Sequence, residues 1–273
     1  MRTITLHDAP APDGTPVTHA VHLPESWEEL TADQLLGVVA LKAMELEEAG
    51  LRFALFKLLG EVPDELMARI DADAVTEQVD EGTGPQWVVL PCVSWLLTDP
   101  AYVTSKLPTI VHKGITYNGP DNELQRMTMN QYVFTCQLLN AFRDSGADAD
   151  LHYFLGSAYQ PAGVPWDNEP IEEHAAALAD LPMATKLLAV RNFEALHANL
   201  PERYPITFDP SVDGESSPQG LMGLAYDVAK GGALGDLSKV ETTLLHKVLG
   251  YVEHNGWKEV QRERRGAPAS NEE

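Results

Sequence analysis

The segment Leu23–Gly60 constrains the fold more than any other, because several of its local signals agree on where a helix begins. Thr31 and Gln34 have the spacing of a capping box, in which each side chain accepts a hydrogen bond from the other residue's backbone N–H. Leu30 and Leu35 flank this pair at the positions of a hydrophobic staple, which sets the direction in which the chain enters the helix. We therefore predict that a helix begins directly after Thr31.

Apolar residues continue beyond that start with the spacing of an amphipathic helix, and they include Met44 and Leu46. The sequence at Gly50 predicts a tight break, after which a second apolar stripe runs to Gly60 as a C-terminal stop. We predict two helices joined at this break, with Trp27 packed over their junction.

The same capping pattern occurs twice more, at Thr128 with Gln131 and at Ser238 with Glu241. Each pair precedes a stretch in which apolar residues recur at helical spacing, so each predicts the start of a further helix. Another long helix is expected over Leu181–Leu200.

Two short segments show the alternation of β-strands instead of the helical period. Residues 2–23 have the pattern of a strand pair around the Pro- and Gly-containing loop Ala9–Pro16. Near the middle of the chain, Thr109–Tyr117 contains Lys113 and Gly114, where glycine supplies the positive φ that a tight hairpin turn needs. The predicted fold class is therefore mainly α (α+β): a helical domain with small N-terminal and central β-hairpins.

One stretch has the composition of a linker. Asp209–Gly220 is rich in Ser, Pro, Gly and Asp and contains little that could be buried. We predict a helical domain with an N-terminal β-hairpin at residues 1–208, a linker at residues 209–220, and a C-terminal helical pair at residues 221–273. From Gln261 onward the tail is expected to fray.

The net charge is strongly negative, since 41 acidic residues against 19 basic ones give −22. A surface of this sign repels phosphate backbones and anionic headgroups, so neither nucleic acid nor a membrane is an expected partner. The acids are scattered along the whole chain, which favours adaptation to a salty (halophilic) host over partnership with a basic protein. We expect the fold to loosen when salt is removed.

Compartment signals are few but consistent. Cys92 and Cys136 lie in apolar runs without a metal-ligand spacing, which is typical of buried small hydrophobes in a reducing compartment. Asp8 interrupts any early apolar run, so no signal peptide is expected. The most apolar stretch, Trp87–Leu97, is too short to span a bilayer and contains Pro91. The predicted location is intracellular.

No catalytic or cofactor motif stands out. Phosphate loops, dinucleotide-binding loops and nucleophile elbows are not present as sequence motifs. His19 and His22 are expected on opposite faces of a strand, and His174 lacks the second histidine that a zinc motif requires. His197 falls in the last turn of its predicted helix, where the dipole favours positive charge. We expect no catalytic residue, no metal and no cofactor, and an enzyme whose site forms only in three dimensions is the alternative.

In their order along the chain, several segments resemble morphogenesis proteins of tailed phages and prophages, particularly those of Bacteroidetes-type hosts. The segments are Leu23–Leu36, Tyr117–Leu124, Met127–Phe134, Ala158–Gly163 and Gly235–Val252. The resemblance implies a role in the tail module, as a non-enzymatic assembly chaperone or as a minor structural component of the virion. It places the protein in the host cytoplasm or in the virion.

A helical protein with apolar stripes can cover exposed helices of tape-measure or tail-tube proteins until these assemble. Aromatic side chains dominate contacts of this kind. The candidate partner-binding residues are Trp27, Trp87, Trp95 and Trp166. The alternative, which the apolar neighbourhood of most of them favours, is that they are core residues.

Overall fold

The computed structural model describes residues 1–8, 13, 15, 17–44, 46–68, 90–98, 102–208 and 220–264. Helices predominate in these residues, together with two small antiparallel sheets, which confirms the predicted mainly α (α+β) class. The chain divides into two compact units, Met1–Tyr102 and Val103–Glu273. This division lies far from the predicted linker at 209–220, of which only Gly220 is among the described residues.

The N-terminal unit opens with the predicted hairpin. Strand β1 (Arg2–Asp8) pairs antiparallel with β2 (Val17–Leu23), in a register that places Ile4 opposite Val21. Both of these side chains are buried, so one face of the hairpin contributes to the core of this unit.

Helix α1 (Ala32–Lys42) begins where the sequence predicts. The Thr31 hydroxyl accepts a hydrogen bond from the Gln34 backbone N–H (3.2 Å), and the Gln34 side-chain oxygen accepts one from the Thr31 N–H (3.0 Å). Leu30 and Leu35 are both buried, as expected for a staple. The capping box is confirmed.

The predicted end of this helix is wrong. The helix stops at Lys42, and the Met44 and Leu46 side chains are 62% and 40% exposed. Helix α2 (Glu48–Gly60) follows, with Gly50 in its first turn and not at a break. Helical spacing alone does not extend a helix whose apolar side chains find nothing to pack against.

Gly60 also differs from its predicted role as the residue after the helix. It lies inside α2, and the left-handed position that ends the helix is taken by Glu61 (φ 49°). A Cβ at Gly60 would stand 2.5 Å from Val21 Cγ1, so glycine here permits the close approach of α2 to β2.

Beyond α2, residues 64–68 are helical, with Leu66 and Met67 buried. A 3-10 helix follows at Leu90–Leu97. It packs on α2 and buries Val93 and Leu96.

The second unit contains the central hairpin, which is confirmed. Strands β3 (Thr109–His112) and β4 (Ile115–Asn118) are joined by Lys113 (φ 49°) and Gly114 (φ 78°). Positive φ at both residues is the signature of a type I′ turn. A short strand β5 (Gln160–Pro161), which the sequence analysis did not predict, pairs antiparallel with β4.

The helices of the second unit are α3 (Met129–Ser145), α4 (Asp148–Ala158), α5 (Ile171–Leu178), α6 (Met183–His197), α7 (Leu200–Arg203), α8 (Gly220–Lys230), α9 (Leu237–Glu241) and α10 (Leu245–Arg264). Helices α3, α4 and α5 pack in succession, and Phe154 and Phe193 are fully buried in the core. The long helix predicted over Leu181–Leu200 is the shorter α6. Among the described residues, no helix combines the length and hydrophobicity needed to cross a bilayer.

The capping box predicted at Ser238 does not form. Asp236 is the N-cap instead, and its carboxylate accepts a hydrogen bond from the Lys239 N–H (3.0 Å). Helix α9 ends at Glu241, and Leu244 beyond it forms a β-bridge with Thr128, the residue before α3. The C-terminal helices are thereby tied to the start of α3.

Candidate functional site

Two of the predicted partner-binding tryptophans lie against each other in the N-terminal unit. The Trp27 and Trp95 rings meet edge to face with 5.4 Å between centroids, and Trp27 is only 7% exposed. The Trp95 indole N–H donates to the Cys92 carbonyl (3.1 Å), and the Lys42 ammonium lies 5.2 Å from the Trp27 ring centroid. These contacts assign the two rings to packing within this unit, and Trp87 lies outside the described residues.

Trp166 has a different setting. It is half-buried and lines a groove of about 420 Å³ in the second unit. The groove runs past the ends of the strands, where Pro108, Pro120 and Gln160 lie, to Met127 before α3. Its walls combine apolar surface with a few amide, hydroxyl and carboxylate groups, which is the usual make-up of a binding site.

The C-terminal end of α4 supplies the hydrogen-bond acceptors that hold the groove side chains. The last carbonyls of a helix have no partner within the helix and need one from elsewhere. The Ser157 carbonyl accepts from the Trp166 indole N–H (3.1 Å) and from the Gln131 side-chain amide (3.3 Å). The Gly156 carbonyl accepts from the Gln160 amide (2.9 Å). Three side chains of the groove are therefore fixed by one helix end.

Packing fixes Trp166 further. The centroid of its ring lies 5.8 Å from the centroid of the Phe134 ring on α3, and the two ring planes make an angle of 55°. Behind the helix end, the fully buried hydroxyls of Thr135 and Ser157 hydrogen-bond to each other (2.9 Å). The indole is thus held at its N–H and against an aromatic ring, which restricts the orientations that it can adopt.

The predicted capping box at the start of α3 forms only in part. The Thr128 hydroxyl accepts from the Gln131 backbone N–H (3.3 Å), as predicted. The Gln131 side-chain amide, however, donates to the Ser157 carbonyl. A full box would need the Gln131 side-chain oxygen to accept from the Thr128 N–H, but the side chain is turned so that its NH2 group reaches α4.

Gln160 provides a polar group without a partner. The residue is 5% exposed, and its side-chain oxygen accepts no hydrogen bond from any residue that the structure describes. Leaving a buried acceptor unsatisfied costs about 1–3 kcal/mol. Gln160 is also one of the residues that line the groove.

A carboxylate stands at the same groove. Asp121 accepts from the Arg126 backbone N–H and from its guanidinium Nε, both at 3.0 Å. The Asp121 side chain is 15% exposed whereas that of Arg126 is 84% exposed. The acid is therefore held in place, while the guanidinium projects into solvent.

Three segments that carry the phage resemblance converge here, namely Tyr117–Leu124, Met127–Phe134 and Ala158–Gly163. The first of these segments contacts the third directly, through Gly119 and Tyr159. A Cβ at Gly119 would stand 2.1 Å from Tyr159 Cε1, so only glycine admits the tyrosine ring. The capping pattern predicts Gln131 only as a helix-start residue, and no local pattern marks Gln160 or Asp121. The hydrogen bonds of Gln160 to Gly156 and of Asp121 to Arg126 are local, but only the fold brings both residues to one groove with the contact of Gln131 to Ser157.

A second cleft of about 420 Å³ lies between the strained turn at Glu123 and helices α6, α7 and α10. His246 Nε2 faces the Glu123 carbonyl and so carries the hydrogen, which leaves Nδ1 to accept from the Tyr204 hydroxyl (2.7 Å). Arg203 pairs with the Glu123 carboxylate (2.6 Å) and, as the main cause, holds its pKa below the usual range. Glu123 and Leu124 both have positive φ (55° and 61°), and these contacts hold that turn.

His197 departs from its expected role. Burial, reinforced by the charge of Arg143, lowers the pKa of its imidazole, so the neutral form is favoured despite the helix dipole. Its Nδ1 lies 2.7 Å from the Tyr132 hydroxyl. The side chain joins α6 to α3.

The titratable groups elsewhere in the described residues are dispersed. No set of three His, Cys, Asp or Glu side chains is placed to hold a metal ion within the described ranges. Cys92 and Cys136 are not joined in a disulfide bond, and burial raises the pKa of Cys136 to about 12, which suppresses its reactive thiolate. Comparison of the chain with protein-family models, curated proteins and solved structures gives no match.

Proposed function

We propose that this chain is a non-enzymatic protein of phage tail morphogenesis, which acts like an assembly chaperone and holds a segment of an unassembled tail protein in the Trp166 groove. The observation that carries the proposal is the fixed Trp166 ring beside an unsatisfied buried acceptor, the Gln160 side-chain oxygen.

The groove chemistry favours a polypeptide segment as the ligand. A preorganised aromatic ring offers contact area at low entropic cost, and tryptophan is enriched among residues that dominate protein interfaces. A peptide also brings N–H donors at regular spacing, and the Gln160 oxygen is an acceptor without a partner among the described residues. The volume of about 420 Å³ lies within the roughly 300–1,000 Å³ of ligand sites, so the groove admits part of a chain and not a folded domain.

The net charge of the whole chain attracts a basic partner, whichever cause the scattered acids have. The chain carries −22 at neutral pH, whereas the Asp121 carboxylate in the groove is already paired with Arg126, which lines the same groove. Complementary charge speeds association and rejects acidic competitors. The resemblance supplies the partner class, which is a tape-measure or tail-tube protein before assembly.

The test of groove binding begins with a random dodecapeptide library displayed against the full chain. The enriched peptides are labelled, and their affinities are measured by fluorescence anisotropy at low and high salt. We expect basic peptides whose binding weakens with salt. We expect Trp166→Ala to weaken binding by about tenfold or more, whereas Trp95→Phe in the other unit changes it little.

Equal affinity for wild-type protein and Trp166→Ala, or no enrichment above background, would refute the groove proposal. Mass spectrometry of purified phage particles tests the assembly role separately. A chaperone is absent from the finished particle, whereas a fixed copy number there would identify a minor structural component instead.

A further inference from the structure

The outer edge of strand β3 is open. The sheet order is β3-β4-β5, so β3 pairs with β4 on one side, and no strand of the described residues lies on its other side. Open edges present backbone donors and acceptors in the arrangement that a further strand requires.

The hairpin register identifies the groups that point outward. In a hairpin with a two-residue turn, His112 and Ile115 form the first hydrogen-bonded pair, and the next pair, Val111 and Thr116, directs its backbone groups away from the partner strand. Thr116 shows this directly, because its carbonyl accepts from the Ala162 N–H on the β5 side (2.8 Å). The Val111 N–H and carbonyl therefore point to the open edge.

Strand β3 has an exposed apolar side chain at Val111, and its neighbours hold the strand in place. The Val111 side chain is 71% exposed, whereas the neighbouring Ile110 is 5% exposed and anchors the strand in the core. At the turn, Asp180 pairs with His112 (2.6 Å) and with Lys113 (2.7 Å). The strand itself contains neither proline nor lysine, the residues that commonly block such edges.

We propose that the open edge of β3 accepts an extended segment of the basic partner as an added antiparallel strand, with Val111 exchanging two backbone hydrogen bonds with it. This inference rests on the proposed function. An added strand that runs antiparallel to β3 leaves the edge at Thr109, which also lines the Trp166 groove. One continuous partner segment can thus use both surfaces.

The net charge of the chain favours a basic segment over a second copy of this chain as the strand that pairs with β3. A second copy of this chain brings another −22, whereas a basic segment is attracted to the same surface. The pairing position opposite Val111 favours a β-branched or aromatic residue. The expected ligand is therefore an extended segment in which such residues alternate with lysine or arginine.

The experiment uses the library-selected peptides and two variants of the full chain. Val111→Pro removes the outward N–H without removing any hydrogen bond to β4, and Val111→Ala is the matched control that keeps it. We expect Val111→Pro to weaken binding by about tenfold and Val111→Ala to leave it within a few-fold. Circular dichroism and thermal unfolding verify that both variants fold.

Amide hydrogen exchange on the wild-type protein gives a second readout that needs no variant. We expect exchange at the Val111 N–H to slow when the peptide is added. An unchanged Val111 exchange rate, or equal affinity for Val111→Pro and Val111→Ala, overturns the inference.

The outcomes separate this inference from the groove proposal. Binding that is lost in Trp166→Ala but kept in Val111→Pro retains the groove and overturns strand addition. The converse result overturns the groove instead, and binding that survives both changes overturns both. A wild-type dimer that Val111→Pro dissolves in sedimentation analysis would make a second copy the occupant, and would also overturn the proposal.

Discussion

The pattern Thr-x-x-Gln occurs at the start of α1 and at the start of α3, and the two sites use it differently. At Thr31 and Gln34 both reciprocal hydrogen bonds of the capping box form. At Thr128 the hydroxyl caps its helix in the same way, but the Gln131 amide reaches across to the Ser157 carbonyl at the end of α4.

The difference shows how a local motif is recruited into a tertiary site. Gln34 lies at an exposed helix start, where the Thr31 backbone N–H is the available partner for its side-chain oxygen. Gln131 lies beside a helix end whose carbonyls need donors, and satisfying them is worth more than completing an exposed cap. The glutamine that leaves its cap becomes part of the groove wall.

The largest expected effect on stability comes from a substitution that displaces the end of α4. Gly119→Ala places a methyl group in the space of the Tyr159 ring, and Tyr159 is the residue that ends α4. We expect the free energy of unfolding to fall by about 3 kcal/mol, since overpacking of a rigid core is costly. Urea denaturation measures it.

The matched control for that change is Gly250→Ala in α10, where a Cβ meets no atom within 4 Å. Alanine there should raise stability by about 0.5–1 kcal/mol, because glycine is unfavourable inside a helix. A Gly119→Ala protein as stable as the wild type would mean that the contact with Tyr159 does not set the position of α4.

The next effect concerns the shared acceptor. Gln131 and Trp166 both donate to the Ser157 carbonyl, so either one alone still satisfies it. In a double-mutant cycle with Gln131→Met and Trp166→Phe, we expect the loss to exceed the sum of the single losses by about 1 kcal/mol. Strictly additive losses would show that the two donors do not share this role.

A smaller effect is expected for the difference in coupling free energy between the cap at Thr31 and the cap at Thr128. The cycle of Thr31→Ala with Gln34→Ala should show a coupling free energy of about 0.5 kcal/mol, because the two side chains belong to one reciprocal motif. The cycle of Thr128→Ala with Gln131→Ala should show less, since the Gln131 side chain bonds elsewhere. Equal coupling free energies at both helix starts would mean that Gln131 contributes to its cap as Gln34 does.

The smallest expected effect is a dependence of the free energy of unfolding on pH. It arises from His197, which contacts Tyr132, the residue after Gln131. Burial lowers the pKa of His197 in the folded protein below the ordinary imidazole value of 6.5. The stability that this group contributes is therefore complete above pH 6.5 and is lost as pH falls toward the folded pKa. We expect His197→Gln to show a weaker decline between neutral and mildly acidic pH in urea titrations.

Some decline should remain in that variant. Burial, followed by the nearby Lys186 charge, also lowers the pKa of His152, and its contribution has the same sign. A wild-type protein whose stability rises on mild acidification would refute both assignments.

Several predictions made from sequence succeeded where the determining contacts are local, although the equally local box at Ser238 and Glu241 was wrong because Asp236 takes the cap two residues earlier. The caps at Thr31 and Thr128 and the turn at Lys113–Gly114 each depend on residues within a few positions of one another. The resemblance to phage morphogenesis proteins stays a prediction, and three of the segments that carry it line the groove. Of the four tryptophans proposed as anchors, the structure places Trp166 at that groove and packs Trp27 and Trp95 together.

What the sequence by itself determined is the class of fold, the position of several helix starts and the central hairpin, because hydrogen bonds and backbone preferences over a few residues settle them. Tertiary structure alone decided that α1 stops before Met44, that β5 joins the sheet, and that Gln131 and Trp166 meet at Ser157. Those outcomes depend on which distant groups are buried together, and neither periodicity nor spacing along one segment records that choice.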